Sequence, residues 1–349
     1  MSKEQMQIKK SLPIDKYIEF ALYDKKRGYY MKKNPFGSKG DFITAPNISV
    51  LFSEMITIWI IHFWRSLKKQ KSINIIELGA GNGEMTFQII KTIQKLKLYN
   101  NKIEFYIYEK SPLLKKIQMK KLKKLNVKWI NRFNQLNKNT NLFVCNEFID
   151  SFPIKQFYKK NKKWFEKYIN FKSKSFEYKK IDIYKIENKF NLKMSNGQDI
   201  IEFSPLLYRT LKEISAEIKK TNGGILIVDY FEYNKKMKDT VQSIKNHKKN
   251  SIFENVGDAD ITYVPNYNLF KSMIENFDLK IGGVTTQGAF LSKLGIENRA
   301  ENLSKQSRFS EKANIYFRLR RLIDPRHMGE LFKVVFVCKK KNNFKLALK

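Results

Sequence analysis

Apolar positions along the first part of the chain recur with helical spacing from Leu12 to about Tyr30, and the pattern breaks at Arg27-Gly28-Tyr29-Tyr30. The stretch that follows, Asn34-Pro35-Phe36-Gly37-Ser38-Lys39-Gly40-Asp41, is dense in turn formers and predicts a loop anchored by aromatics. A second helix is expected to start near Asn47 or Ser49, both competent N-caps, and to run to about Lys69. Asn74-Ile75-Ile76-Glu77-Leu78 is then a short apolar run ending at a glycine-rich turn. Helical spacing follows from Glu84 to about Leu96 through Met85, Phe87, Ile89, Ile90 and Ile93.

The alternation continues. Ile103 to Tyr108 reads as a second strand, Ser111 onward as a Lys-rich helix, Val127 to Ile130 as a third strand and Asn141 to Cys145 as a fourth. Such regular alternation implies parallel strands joined by right-handed crossovers, the α/β class with a Rossmann-like sheet. Between about Gln156 and Lys193 the texture changes to short Tyr-, Phe-, Lys- and Ile-rich segments without a helical period, which predicts an antiparallel β insertion. A helix from about Pro205 to Lys220 leads through Asn222-Gly223-Gly224, a candidate C-cap, into the strand Ile225 to Tyr230. Residues 232–260 read as a long polar connection of functional rather than structural length. A helix over 266–277, a strand from Leu279 to Val284, a helix near 303–320 and a strand from Leu331 to Cys338 complete the pattern. The expected organisation is an N-terminal helical segment with a substrate loop over 1–70, a Rossmann-like domain formed by 71–155 and 205–349, and the β insertion over 156–204. No internal repeat is evident.

Composition adjusts this picture. Apolar residues make up 42% of the 349, enough to bury a core without disulfides or metals. The formal charge of +35 raises the question of a nucleic-acid partner. Only 10 of the 68 basic residues are Arg, however, and the lysines are spread along the chain, which fits a generally basic surface better than a dedicated phosphate reader. Cys145 and Cys338 lie outside any disulfide or metal spacing, and the first ten residues carry no apolar core of the signal-peptide kind, so a cytoplasmic location is expected. His62, His247 and His327 share no ligand spacing, and no metal is assigned. The longest apolar stretch, Ile56 to Trp64, is about half the roughly 20 residues a membrane span needs and reads as a buried helix.

The candidate chemistry sits at the ends of the strands. The turn has the form Glu-x-Gly-x-Gly-x-Gly, with Glu77, Gly79, Gly81 and Gly83. The dinucleotide fingerprint has its third glycine one place later and no acid closing the strand. A carboxylate at Glu77 would repel a pyrophosphate but suits an ammonium or sulfonium group, and S-adenosylmethionine has both. Glu109 directly follows the second strand, where a ribose crossing the strand ends would lie, and its carboxylate can accept hydrogen bonds from both ribose hydroxyls. The fourth strand runs into Asn146-Glu147-Phe148-Ile149-Asp150-Ser151-Phe152-Pro153, an amide and two carboxylates at the same edge of the sheet. A carboxylate there could pair with a guanidinium or amine and orient its lone pair for an in-line displacement. Helix capping by Asn146 or Asp150 is the structural alternative.

Taken in order, Gly40-Asp41-Phe42-Ile43-Thr44-Ala45-Pro46, the Glu77 to Gly83 turn and the Asn146 to Pro153 segment resemble the MidA-like class I methyltransferases. Further segments that resemble this family are Asp258-Ala259-Asp260-Ile261-Thr262, Thr286 to Leu291 with Leu294-Gly295-Ile296, and Asp324-Pro325 with Met328 to Val334. The likeness spans about residues 12–338. It implies a Rossmann-like methyltransferase sheet, S-adenosyl-L-methionine as donor and a protein arginine as acceptor, since mitochondrial members methylate an arginine of a respiratory complex I subunit during assembly. Glu77, Gly79, Gly81 and Glu109 match cofactor positions, with Gly83 closing the same turn. Asp41, Asn146, Glu147 and Asp150 match segments that face the substrate. The sequence departs from the family at Tyr230-Phe231, where a Tyr-Gly pair is expected, and in using Lys for much of the family's Arg. Two other function classes stay in view: an RNA or DNA methyltransferase, from the charge, and a non-catalytic assembly chaperone that keeps the fold.

Overall fold

The computed structural model describes residues 11–37, 40–67, 72–98, 102–246, 248–305 and 307–349. The first ten residues, Ser38 and Lys39 of the expected loop, the expected helix end at Lys68 and Lys69, and His247 lie outside the described residues. Two compact units divide the chain, one formed by Asn34–Phe148, Ile214–Tyr230 and Asp278–Lys349, the other by the residues up to Lys33, Ile149–Glu213 and Phe231–Phe277.

The first unit is built on a seven-stranded sheet: β1 (Ile73–Leu78), β2 (Ile103–Tyr108), β3 (Val127–Ile130), β4 (Thr140–Asn146), β5 (Gly224–Tyr230), β6 (Lys280–Thr286) and β7 (Phe332–Cys338). Their order is β6-β7-β5-β4-β1-β2-β3. β1 pairs in parallel with β2 and β4, β2 with β3, and β4 with β5, whereas β7 runs antiparallel to both β5 and β6. The order reverses between β1 and β4, which in an open α/β sheet is where ligands bind beyond the carboxyl ends of the strands. Every residue of β1 is buried, as continuous apolar runs require in a sheet covered on both faces.

Helix Val50–Ser66 supplies much of that cover. Ser49 caps it by accepting from the Leu51 N–H at 3.3 Å, and Trp59 and Phe63 stack edge-on against Phe336 of β7. Its buried Glu54 is held by both Nε and Nη2 of Arg299, each at 2.9 Å. Among the described residues no helix is long and apolar enough to cross a membrane. Where one helix near 303–320 was expected, residues 287–323 hold three, Gln287–Lys293, Ile296–Lys305 and Phe309–Ile323, the last of which covers most of the expected range. Gly295, at φ +85°, separates the first two with a backbone shape that continues neither.

The other unit holds an antiparallel sheet of Ser11–Pro13, Lys155–Lys160, Lys163–Asn170, Ser175–Ile181 and Ile200–Phe203, and a three-stranded sheet of Gln242–Lys245, Lys248–Asn250 and Asp260–Thr262. Several expectations change here. Residues 11–13 pair with Tyr168–Asn170 rather than opening a helix, because Pro13 sits extended and the helix begins after it, Ile14–Tyr23. That helix stops well short of residue 30, since the Asp24 side chain accepts from the Lys26 and Arg27 N–H groups and turns the chain. The β insertion also contains a helix, Ile183–Phe190, capped by Asp182 and ended by Asn191 at φ +47°. The polar stretch 232–260 is partly strand rather than open connection. This grouping differs from the linear division into 1–70 and 156–204, because the strand at 11–13 and the segment from Phe231 to Phe277 belong with the insertion's own residues.

Candidate active site

β1 delivers the chain to Gly79, Gly81 and Gly83, with φ of +65°, +52° and +77°. At the first of these, a side chain would meet more than backbone strain: its Cβ would fall 2.8 Å from the Phe148 ring. At Gly81 a Cβ would press on the Phe36 ring at 3.3 Å. Phe36 belongs to the loop that carries Asp41, closed by Gly37 N–H to Phe42 O and Phe42 N–H to Pro35 O, both 2.9 Å. Asn82 fastens the turn from the other side, donating to Asn47 Oδ1 at 2.7 Å, while Asn47 donates to Thr44 Oγ1 at 2.9 Å. The glycine turn is therefore walled by two aromatic rings and braced by the segment around Asp41, which is itself 7% exposed.

Two carboxylates close adjacent strands. Glu77 is buried, and loss of solvation pushes it up to about 7; the Thr86 N–H, at 3.0 Å, and the Thr86 hydroxyl both donate to its Oε2 and work in the opposite direction. Oε1 accepts no hydrogen bond among the described residues. Glu109, one strand over, is also raised by burial, against donors from Ser111 N–H at 2.9 Å and Gln118 Nε2 at 3.0 Å. The same Nε2 of Gln118 donates to Gly81 O at 2.9 Å, and its Oε1 accepts from Trp129 Nε1 at 3.0 Å. One fully buried amide thus ties the glycine turn to the second acid.

β4 ends beside β5, with Asn146 opposite Val228. Glu147 then takes the left-handed conformation, φ +52°, at a cost of about 1 kcal/mol for a residue with a Cβ. It is held there by its N–H to Val228 O at 3.0 Å and by the next N–H, of Phe148, to Asp229 Oδ2 at 3.0 Å. Asp229 is fully buried, and its other oxygen accepts from the Tyr230 N–H at 2.8 Å. Asn146 Nδ2 donates to Glu147 Oε1 at 2.9 Å, which orients the amide so that Oδ1 is buried without a donor among the described residues. A buried, unpartnered acceptor costs about 1–3 kcal/mol and stands ready for a ligand donor.

Glu77, Gly79, Gly81, Gly83, Glu109, Asn146, Glu147 and Asp41 all fall in one unit. Asp150 does not. It belongs to the other unit, where Thr262 Oγ1 donates to its carbonyl at 3.1 Å and its Oδ2 at 3.3 Å, near Tyr30, whose hydroxyl donates to Asp260 Oδ1 at 3.0 Å. Burial raises the Tyr30 phenol well above its ordinary value, reinforced by Asp260, Tyr23 and Asp150. Sequence reasoning missed Gln118, Asp229, Phe36 and Phe148. Asp229 carried the same signal as Glu77 and Glu109, an acid closing an apolar strand. Cys145 and Cys338 are buried and not bridged to each other, His62 and His327 are exposed, and no cluster of metal-ligand type occurs among the described residues.

The chain is similar over residues 55–285 to a family described as "Putative S-adenosyl-L-methionine-dependent methyltransferase". Among characterised relatives, the protein arginine methyltransferase NDUFAF7, mitochondrial, of Homo sapiens is 25% identical over 348 residues, covering 92% of this chain and 78% of that protein. The Drosophila melanogaster homolog is 26% identical, with 92% and 80% covered, and the Danio rerio protein 25% identical, with 92% and 82% covered. A crystal structure of a Burkholderia thailandensis protein bound to S-adenosyl-homocysteine superposes with a TM-score of 0.81 at 20% identity, over 99% of this chain and 92% of that one, and shows the same fold. All three named relatives are mitochondrial, which corrects the cytoplasmic location expected from the sequence.

Proposed function

The chain belongs to the MidA-like family of S-adenosyl-L-methionine-dependent methyltransferases, and we propose that the group it methylates is a guanidinium nitrogen of an arginine in a protein substrate. The residues fit the donor. Gly79 and Gly81 sit where any side chain would fill the space against Phe148 and Phe36, Glu77 keeps one carboxylate oxygen without a donor among the described residues, and Glu109 stands at the neighbouring strand end. When bound, S-adenosyl-L-methionine supplies an electrophilic methyl group on a sulfonium. In our reading Glu77 attracts the donor's positive charge, Glu109 accepts from its ribose hydroxyls, and the backbone of Gly79, Gly81 and Gly83 lets it approach.

The observation that carries the acceptor assignment is the pairing of Asn146 and Glu147. A guanidinium offers five N–H donors and no acceptor. At the end of β4, Asn146 Oδ1 lacks a donor among the described residues, and Glu147 is a carboxylate side chain held in a strained backbone shape by Val228 and Asp229. Strain of this sort persists where neighbouring bonds over-determine it and often marks a working position. Glu147 would receive guanidinium N–H groups, draw positive charge away from the attacking nitrogen so that its lone pair points at the methyl group, and stabilise the proton that nitrogen must give up. Asp41, in the same unit, is assigned to the same acceptor as a further anion. Relatives named as protein arginine methyltransferases support this acceptor, and the one we put forward is an arginine of a respiratory complex I-type subunit.

Glu147→Gln tests the assignment. It should lower methyl transfer by at least about a hundredfold, as loss of one charge-stabilising group does in other sites, while donor affinity stays within about twofold. Full activity in that variant would remove Glu147 from the reaction.

A further inference from the structure

Helix Phe309–Ile323 carries two apolar stripes. Ile315, Leu319 and Leu322 pack on the core. Phe309, Ala313, Tyr316 and Phe317 recur at i, i+4, i+7 and i+8 on another side and stay in solvent, with Phe309 88%, Phe317 62% and Tyr316 45% exposed. Tyr316, fixed by its hydroxyl 3.3 Å from Ser304 Oγ, also lines an open cavity with Leu319, Ile323 and Pro325. Single exposed apolar residues are ordinary, but three aromatics in one row beside a cavity form a patch of the kind that binds other molecules.

The charges around this patch are distinctive for this chain. Six of its ten arginines lie between residues 299 and 326, although lysine supplies nearly all basic residues elsewhere. Arg299 is committed to Glu54, and Arg320 and Arg326 to Asp324. Arg318 and Arg321 pair with no carboxylate among the described residues. From 308 to 326 there are six cations, Arg308, Lys312, Arg318, Arg320, Arg321 and Arg326, against the two acids Glu311 and Asp324. Aromatic residues beside arginine are the composition of interface hot spots.

We propose that this helix is a docking face for a protein partner that presents an acidic amphipathic segment, its apolar side chains on Phe309, Tyr316 and Phe317 and its carboxylates on Arg318 and Arg321. A second copy of the chain fits poorly, because a two-fold contact would set one cationic face against another. A nucleic acid fits less well than a peptide. Arg318 stands about 100° round the helix from Phe317 and Arg321 about 40°, so both cations lie to one side of the apolar stripe, which leaves the rings to an apolar helix face, the layout of helix-in-groove recognition.

The test uses the full chain and a fluorescein-labelled amphipathic peptide of about 18 residues, five helical turns, with Leu at i, i+3, i+4 and i+7 and Glu elsewhere, followed by anisotropy at about 150 mM salt. Phe309→Ser with Phe317→Ser should weaken binding at least about tenfold while leaving circular dichroism and S-adenosyl-L-methionine affinity unchanged. Arg318→Glu with Arg321→Glu should weaken the acidic peptide and improve its Lys-for-Glu counterpart. Equal binding by wild type and the Phe309/Phe317 variant would overturn the proposal. So would binding of a single-stranded RNA, and not of the peptide, that the same variant loses, or a concentration-dependent dimer that it abolishes.

Discussion

Thr86 gives both its backbone N–H and its hydroxyl to one oxygen of Glu77, so the helix that follows the glycine turn satisfies one side of this buried carboxylate, and the other oxygen accepts no hydrogen bond among the described residues. Burial outweighs those two donors and leaves Glu77 near 7 instead of 4.5.

That balance predicts a pH dependence with a definite sign. Between about 4.5 and 7 the folded protein holds a proton that the unfolded chain has released, so Glu77 costs stability that grows as pH rises through this window, up to roughly 3 kcal/mol above it. Glu202, also raised to about 7 by burial, adds a cost of the same sign. Glu77→Gln isolates the first contribution: in urea melts of the donor-free protein it should stabilise at pH 8 and change little below about pH 4.5. Because the anion is the form that attracts a cationic donor, wild-type affinity should rise with pH toward about 7 and then level, with proton release detectable by calorimetry in buffers of different ionisation heat. A pH-independent affinity in the wild type would contradict this role.

Gln118 connects the glycine turn to Glu109 and Trp129. Gln118→Ala leaves Gly81 O, one oxygen of Glu109 and Trp129 Nε1 without that partner. The expected loss is roughly 2–4 kcal/mol of stability, together with about tenfold weaker donor binding because Glu109 is no longer fixed. Chemical denaturation and a donor titration of the same preparation check both. Unchanged affinity in a destabilised variant would make Gln118 purely structural.

Asp229 holds the backbone on which Glu147 sits, accepting from the Phe148 and Tyr230 N–H groups. In Asp229→Asn one acceptor oxygen becomes an amide that faces an N–H, either of Phe148 or of Tyr230. Glu147 then loses part of the restraint on its left-handed backbone. The prediction is a fall in kcat of roughly tenfold with donor KM within about twofold, and a stability loss of about 1–3 kcal/mol. A change confined to donor KM would contradict the positioning role.

How far the sequence revealed these features depended on whether local pattern or tertiary partners decide them. β1, β2 and β3 are apolar runs bounded by turns, and their limits were readable to within a residue. Glu77 and Glu109 stood out because an acid closing such a run is unusual. Asp229 bore the same mark, and its task of holding two N–H groups becomes visible only when β5 lies beside β4. Residues 11–13 could not be read as strand from their own three residues, since their partners come more than 150 residues later. Helix Ile183–Phe190 was hidden because one of its few buried positions is an acid, Glu187, which accepts from the Met194 and Ser195 N–H groups at 2.5 and 2.7 Å. Gln118 gave no sign at all within its Lys-rich helix, because its three partners come from three other elements.

The most direct test of the acceptor assignment is to incubate the protein with methyl-labelled S-adenosyl-L-methionine and a respiratory complex I-type subunit preparation, hydrolyse the products to single residues and identify the one that carries the label. The account predicts labelled methylarginine that disappears with Glu147→Gln, although that variant still binds the donor. Label on another amino acid or on nucleic acid, or methylarginine formed equally by the variant, would contradict it.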